Sequence, residues 1–270
     1  MMRIAVCMKQ VPAYSDGLMD PKTGLLLRSG LETVVNPYDL AALETALRLK
    51  ESLGSEVIAF SMGPQSAEKI LREALARGAD HGVCITDPAF AGADVLATSY
   101  TLMQAILTQG PFELILCGRQ TTDGDTAQVG GELAAWLGIP NCNWVSQIEA
   151  ADEHEIYFWQ QTERVKRKLV CTYPCLLSIE KTGVIPRLPS LKNRIAANKK
   201  EIRRLCFSDL SDSCREHYGI KGSATAVRKI YSPKQEEHKP VKKANGLEAA
   251  LQILSYFKDT DASAKNLREV

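Results

Sequence analysis

No stretch of this 270-residue chain stays apolar long enough to cross a membrane, and its 33 Lys plus Arg are all but cancelled by 32 Asp plus Glu. With a formal charge of +1 it has no global field to draw nucleic acid or a membrane surface. The start, MMRIAVCMKQVPAYSD, holds too short an apolar stretch for a signal-peptide core, so the expected location is cytoplasmic. The eight cysteines include no CxxC pair, which argues against a zinc or iron–sulfur site. Only CTYPC (171–175) comes near, and it reads as strand plus turn. Buried reduced thiols are the expectation. His81, His154, His217 and His238 have no paired spacing for a metal or a triad. Absent too are GxxxxGK(S/T), a strand-borne GxGxxG and the GxSxG elbow, so the common phosphate-loop, dinucleotide and hydrolase signatures are excluded.

What is present is a periodic alternation. RIAVCMKQV (3–11), EVIAFSMG (56–63), HGVCIT (81–86) and FELILCG (112–118) read as strands. LMDPKTGLLLRSG (18–30) suits a small hairpin. NPYDLAALETALRLKESLG predicts a helix with Asn36 as N-cap, Pro37 first, Asp39 bonding back and Gly54 as terminator. Ile70, Leu71, Ala74 and Leu75 stripe a second helix that ends at Gly78. Further helices are expected over about 94–108 and from about Thr126. Strand–helix units repeated four times imply an α/β fold: a Rossmann-like, doubly wound, mostly parallel sheet with a C-terminal extension. In such sheets ligands bind beyond the carboxyl ends of the strands, where strand order reverses. Those ends are Cys7–Pro12, Ser61–Pro64, Asp87–Asp94 and Gly118–Gln128.

Beyond residue 150, EIYFWQQT, KRKLVCTY and CLLSIE read as strands that extend or flank the sheet. A dense basic stretch follows at Lys192 to Arg204, then a charged linker, SPKQEEHKPVKK. The domain boundary is expected at 191, with 1–191 as the α/β domain and 192–270 as a C-terminal arm. In GLEAALQILSYFKD, Leu247, Leu251, Ile253 and Leu254 share helical spacing. Such a helix must bury its face on its own domain or on a partner.

The most informative stretch is CGRQTTDGDTAQVGGELAAWLG (117–138), which has no lysine and no histidine. Asp125 or Thr126 can cap the following helix, with Gln128 completing a capping box. The amides of Ala127 to Gly130 then face the strand ends. A helix start with Gly130 and Gly131 is a ready anion site. Asp123 and Asp125 suit amide caps or sugar hydroxyls rather than a bare phosphate. A well-capped loop without ligand would explain part of this composition, though not so long a polar stretch at the ligand edge. Since no base except Asp or Glu stands at the strand ends, a cofactor that brings its own chemistry is expected.

VCMKQVP (6–12), NPYDLAALETALRLK (36–50), MGP (62–64), LARGAD (75–80), LILCGRQTTDGDTAQVG (114–130) and PRLPSLKNRIAANKK (186–200) together resemble the beta subunit of electron transfer flavoproteins. The resemblance implies a heterodimer with an alpha subunit that carries one FAD in a mobile domain. It also implies a nucleotide in the beta subunit. In conventional members this is a structural AMP, and electrons pass from dehydrogenases to a quinone-linked acceptor. In electron-bifurcating members it is a second FAD that takes a hydride from NADH. The electrons then divide between an acyl-CoA dehydrogenase-type acceptor and a low-potential ferredoxin or flavodoxin. DGDTAQVG, NPYD and the long loop DPAFAGADVLATS (87–99) resemble the bifurcating branch, while Gly131 and Val95 depart from its usual proline and threonine. By the resemblance, Cys7, Asn36, Asp39 and Met62 surround adenine and ribose. Asp123, Gly124, Asp125, Thr126, Gln128, Val129, Gly130 and Gly131 hold the phosphates and part of the ribityl chain. Phe90, Ala91 and Thr98 lie on the flavin side, where NADH approaches. Leu188 corresponds to an exposed leucine that anchors acyl-CoA dehydrogenases. No metal ligands are implied.

Overall fold

Apolar runs buried on both sides demand a sheet covered on both faces. The computed structural model describes residues 1–13, 32–226 and 245–265 of the chain. In chain order its first half runs β1 (Arg3–Cys7), β2 (Gln10–Pro12), β3 (Thr33–Val35), α1 (Pro37–Leu53), β4 (Glu56–Met62), α2 (Glu68–Arg77), β5 (His81–Ile85), α3 (Val95–Leu107), β6 (Leu114–Gly118) and α4 (Val129–Leu137). The second half adds β7 (Asn141–Ala151), β8 (Glu155–Gln161), β9 (Lys166–Thr172), β10 (Cys175–Ile179), α5 (Leu191–Lys199), β11 (Arg203–Leu205), the single turn α6 (Gly219–Gly222) and α7 (Gly246–Lys265). The hairpin expected over 18–30 and the charged linker lie outside the described residues.

Nine strands form one sheet in the order β11-β5-β4-β1-β6-β10-β7-β8-β9. The pairs from β11 to β7 are parallel, and β7, β8 and β9 continue antiparallel. Alternate side chains feed two cores. Ile4, Val6, Val57, Ala59, Leu114 and Leu116 pack under α1 and α2. Ala5, Cys7, Ile58, Phe60, Ile115 and Cys117 pack under α3 and α4. Chain order runs outward from β1 through β4 to β5, then returns to β6 on β1's other side. The reversal therefore lies between β1 and β6, where Cys7 and Cys117 are opposed in register.

The structure corrects several local expectations. CLLSI is not a flanking strand. As β10 it lies between β6 and β7, buried throughout. The β8 and β9 strands do extend the sheet, whereas β7 carries too few buried positions to announce itself. After residue 191, α5 packs on α2 through Arg72, whose guanidinium donates to the Ala197 carbonyl at 2.8 Å. β11 then pairs with β5 at the sheet edge. Residues Met1–Ile230 accordingly form one compact unit, and position 191 falls inside it. The second unit is Tyr231–Val270, and within it α7 exposes Leu247, Leu251, Ile253 and Leu254. Among the described residues no helix is long and apolar enough to cross a membrane. All eight cysteines are free thiols, with Cys7, Cys84, Cys117 and Cys175 buried and Cys214 exposed.

Candidate functional site

The carboxyl ends of β1 and β6 are tied together by the first turn of α1. Asn36 stands at the N-cap position, but its side chain makes no capping bond. Instead its Nδ2 donates to the Gln120 carbonyl at 2.8 Å, and its amide donates to the Lys9 carbonyl at 3.0 Å. Asp39 does not bond back along the helix either. Its carboxylate accepts the Lys9 amide at 2.7 Å and the Gly118 amide at 3.2 Å, joining the two strand ends. Burial pushes its carboxyl up to about 7, against the Lys9 amide, the Asn36 side chain, the Gly118 amide and the Lys9 charge, which favour the ionised form. Gly118 is obligatory here, because a Cβ would collide with Asp39 and with the backbone of Tyr38.

The loop after β6 is rooted by Arg119. Its guanidinium stacks 4.0 Å over the Trp144 ring and pairs with Glu180 at 2.9 Å. Trp144 holds φ +64°, a left-handed conformation costly for a bulky residue. The lysine missing from the loop arrives from the turn after β1: Lys9 Nζ donates to both oxygens of Asp123 at 2.8 Å. Burial works to raise the Asp123 carboxyl, but the Lys9 contact holds it below the usual range. Asp125 accepts from Gln120, and it and Ala127 sit at φ +51° and +55°. This irregular backbone delays the helix, so α4 begins at Val129 rather than near Thr126. Neither Asp125 nor Thr126 caps it. Gln128 takes the cap position without a side-chain bond.

The consequence is a helix start with no capping side chain, as at α1 and α2 and unlike α3, capped by Asp94, and α5, capped by Ser190. The amides of Val129, Gly130 and Gly131 belong to the first turn, which has no intrahelical acceptors. Gly130 is buried against Ser178 on β10, while a Cβ at Gly131 would have ordinary room. Asn36 Oδ1 is fully buried and unpartnered. An anion at the α4 start and a hydrogen-bond donor at Asn36 fit these two open valences. A nucleotide carries both.

The expected residues fall into two groups. Asn36 and Asp39 are joined to the 118–131 segment by the bonds above, Cys7 lies opposite Cys117 in register, and Met62 ends the neighbouring strand β4. The Cys7 thiol, with burial, raises Cys117 well above its ordinary value, which keeps Cys117 a protonated thiol. Phe90, Ala91 and Thr98 lie between β5 and the first turn of α3. Ser99 Oγ donates to Glu132 Oε2 at 3.1 Å, setting the first turns of α3 and α4 side by side. The Phe90 ring does not face outward; it is buried 5.6 Å from Tyr218. Lys9, Gly118 and Arg119 were not assigned from sequence. Lys9 lies in the VCMKQVP motif just past the strand end, which was its one legible signal.

Comparison with known proteins decides the family. An electron transfer flavoprotein domain matches residues 23–210.

The chain belongs to the electron transfer flavoprotein beta-subunit family.

It is 39% identical over 263 residues to the electron transfer flavoprotein subunit beta of Clostridium acetobutylicum, covering 96% of this chain and 98% of that one. It is 41% identical to the caffeyl-CoA reductase-Etf complex subunit CarD of Acetobacterium woodii (86% and 88% covered). Protein FixA of Bradyrhizobium diazoefficiens is 39% identical (84% and 81%). Within this flavoprotein subunit a second surface stands apart from the strand ends. Leu188 is 85% exposed and is flanked by exposed Ile185, Leu191 and Ile195. Its loop is pinned by Arg187, which bonds buried Glu44 at 2.8 Å and also pairs with Glu51. Among the described residues no cluster of three or more His, Cys, Asp or Glu is placed to hold a metal.

Proposed function

We propose that this beta subunit binds FAD at the β1–β6 strand ends and, with its alpha subunit, bifurcates electrons from NADH. The observation that carries this reading is the uncapped α4 start together with the unpartnered Asn36 Oδ1, whose amide side holds the Gln120 end of the same loop. Val129, Gly130 and Gly131 would hold the phosphates through backbone amides. Asn36 and Asp39 would orient the adenosine end, with Cys7 and Met62 as apolar walls. The 119–128 loop, held by Lys9 and Asn36, would exclude water from the phosphate end. The long turn before α3, with Ala91 and with Thr98 in the helix's first turn, would lie beyond the phosphates, and its length is the reason for preferring FAD to AMP. When bound, the flavin supplies the hydride and electron chemistry, which is why the strand ends need no general base.

Leu188 and its apolar neighbours are proposed to dock the acyl-CoA dehydrogenase-type acceptor, with ferredoxin or flavodoxin taking the low-potential electron. The exposed stripe of α7 is proposed to pack on the alpha subunit. The relationship to a caffeyl-CoA reductase-Etf complex subunit supports an acyl-CoA-linked role. The test is the cofactor content of the co-expressed heterodimer, released by heat and separated by chromatography. Two FAD and no AMP support the proposal. One FAD and one AMP replace it with a conventional carrier that passes electrons from dehydrogenases to a quinone-linked acceptor.

A further inference from the structure

The turn that carries Ala91 has little structure of its own, only the three-residue turn Pro88–Phe90 and its cap. A distant segment, Phe207 to Thr225, is bonded to it at several points. The Phe207 amide donates to Asp87 Oδ2 at 3.1 Å, and the Ile220 amide donates to the Ala91 carbonyl at 3.2 Å. Thr225 donates to Asp94 Oδ2 from its amide at 2.8 Å and from its hydroxyl at 2.9 Å. Asp94 returns its own amide to Ser223 Oγ at 2.8 Å. Asp94 also caps α3 through the Ala97 amide, and its carbonyl accepts the Thr98 amide. The segment is therefore bonded to both ends of the turn and to the cap that orients Thr98.

Two glycines show how closely the chains cross. Gly219 holds φ +57°, and a Cβ there would collide with the carbonyl oxygens of Ala89 and Ala91. Gly92 holds φ +72°, and a Cβ there would run into the side chain of Ile220. Each chain has given up a side chain where it meets the other. Beneath the crossing, Tyr218 is buried among Phe90, Tyr100 and Phe207, with ring centroids 5.2–5.6 Å away. Asp212 fastens the segment to α3 by accepting the Tyr100 hydroxyl at 2.7 Å, while its carbonyl accepts the Tyr218 hydroxyl at 2.9 Å.

We infer that the Phe207–Thr225 segment sets the position of the turn before α3, with Gly219 and Ile220 as positioning residues for the flavin end of the nucleotide site. The inference rests on the FAD reading proposed above. Neither residue touches the cofactor in this account; both act through Ala91 and Thr98.

The test uses the co-expressed heterodimer as wild type, Gly219→Ala, Ile220→Ala and Lys221→Ala. Lys221 lies in the same segment but pairs with Glu216 at 3.1 Å, so its variant controls for nonspecific loosening. Hydrogen–deuterium exchange of residues 87–99, dissociation of the second FAD (counted against the one FAD of the alpha subunit) and the visible difference spectrum between variant and wild type are measured at a matched interval below each protein's melting temperature. The expected result is faster exchange over 87–99 and FAD dissociation raised about tenfold in Gly219→Ala, a smaller rise in Ile220→Ala, and neither in Lys221→Ala. An altered flavin spectrum in Gly219→Ala would accompany these changes, a signature that general loosening would not produce. Unchanged exchange in both Gly219→Ala and Ile220→Ala overturns the inference. So does faster exchange with unchanged FAD affinity and spectrum. If Gly219→Ala fails to fold, Ile220→Ala decides by the same criteria. AMP in place of FAD in the wild type overturns both the FAD reading and the role given to these residues, whereas FAD present and insensitive to either variant overturns only the latter.

Discussion

Lys9 reaches from the end of β1 to place its ammonium 2.8 Å from both carboxylate oxygens of Asp123. The contact closes the 119–128 loop over the strand ends with a cation taken from outside the loop. Both side chains are partly exposed, so the pair contributes about 1 kcal/mol or less to stability. Its expected effect is on the loop. Lys9→Met should leave the melting temperature of the heterodimer within a few degrees while raising nucleotide dissociation about fivefold or more. Titration calorimetry with the nucleotide released from the wild-type heterodimer reads this directly, and an unchanged affinity would show that the loop closes without Lys9.

Asp39 ties β1 to β6 from inside the core, and that gives the fold a pH signature. Its folded value of about 7 lies above the ordinary 3.8, so the folded chain holds this proton more tightly than the unfolded chain. Its contribution is full below the ordinary value and is lost as pH rises through about 7. Glu44, Asp80, Asp94, Asp123 and Asp212 are shifted the other way, so their contributions are complete above the ordinary carboxylate range. Between about pH 5 and 7.5 the urea midpoint should therefore fall with rising pH. Asp39→Asn should flatten that slope. A slope that survives the substitution assigns it to another group.

Much of this architecture could be read from local pattern, because runs such as RIAVC and LILC admit few placements. Residues Ile70, Leu71, Ala74 and Leu75 are buried together as their spacing implies, and Gly54 and Gly78 end their helices. What could not be read was non-local. Nothing in CLLSI says that it enters between β6 and β7 rather than beside them. The capping roles expected of Asn36 and Asp39 were reasonable for an isolated helix. They failed because the ends of β1 and β6 offered those side chains better-buried amide and carbonyl partners. The start of α4 was misplaced for a related reason. Asp125 is of a type that tolerates positive φ, but the same conformation at Ala127 is not encoded by its residue type. Lys9 and Arg119 reach their partners across more than twenty residues of sequence, beyond any local rule.

Gly130 offers a test of how α4 is seated. A Cβ there would lie 2.7 Å from Ser178 Oγ and 3.3 Å from Leu176 Cδ2, inside a packed layer. Gly130→Ala should cost about 1–3 kcal/mol and tilt the amides of the first turn. Removing the opposing hydroxyl should recover part of the loss, so Gly130→Ala with Ser178→Ala is expected to be more stable than the sum of the two single effects. Strict additivity in the urea midpoints would place the strain elsewhere.

The last prediction separates the anchor of the Leu188 loop from its contact surface. Glu44 is a buried carboxylate, and burial would push its carboxyl up were it not bonded by Arg187 and Arg48, which hold it below the usual range. Arg187→Ala leaves that charge with Arg48 alone, so a loss of about 2–3 kcal/mol is expected, together with a displaced loop. Leu188→Ser removes an exposed side chain and should change stability by about 0.5 kcal/mol or less. If this loop is a docking site, Leu188→Ser should slow electron delivery to the acyl-CoA dehydrogenase-type partner while cofactor content and NADH oxidation with an artificial acceptor stay at wild-type levels. Arg187→Ala should slow the same step and also lower the melting temperature. Full partner turnover in Leu188→Ser would remove the loop from the docking surface and leave Arg187 with a purely structural role.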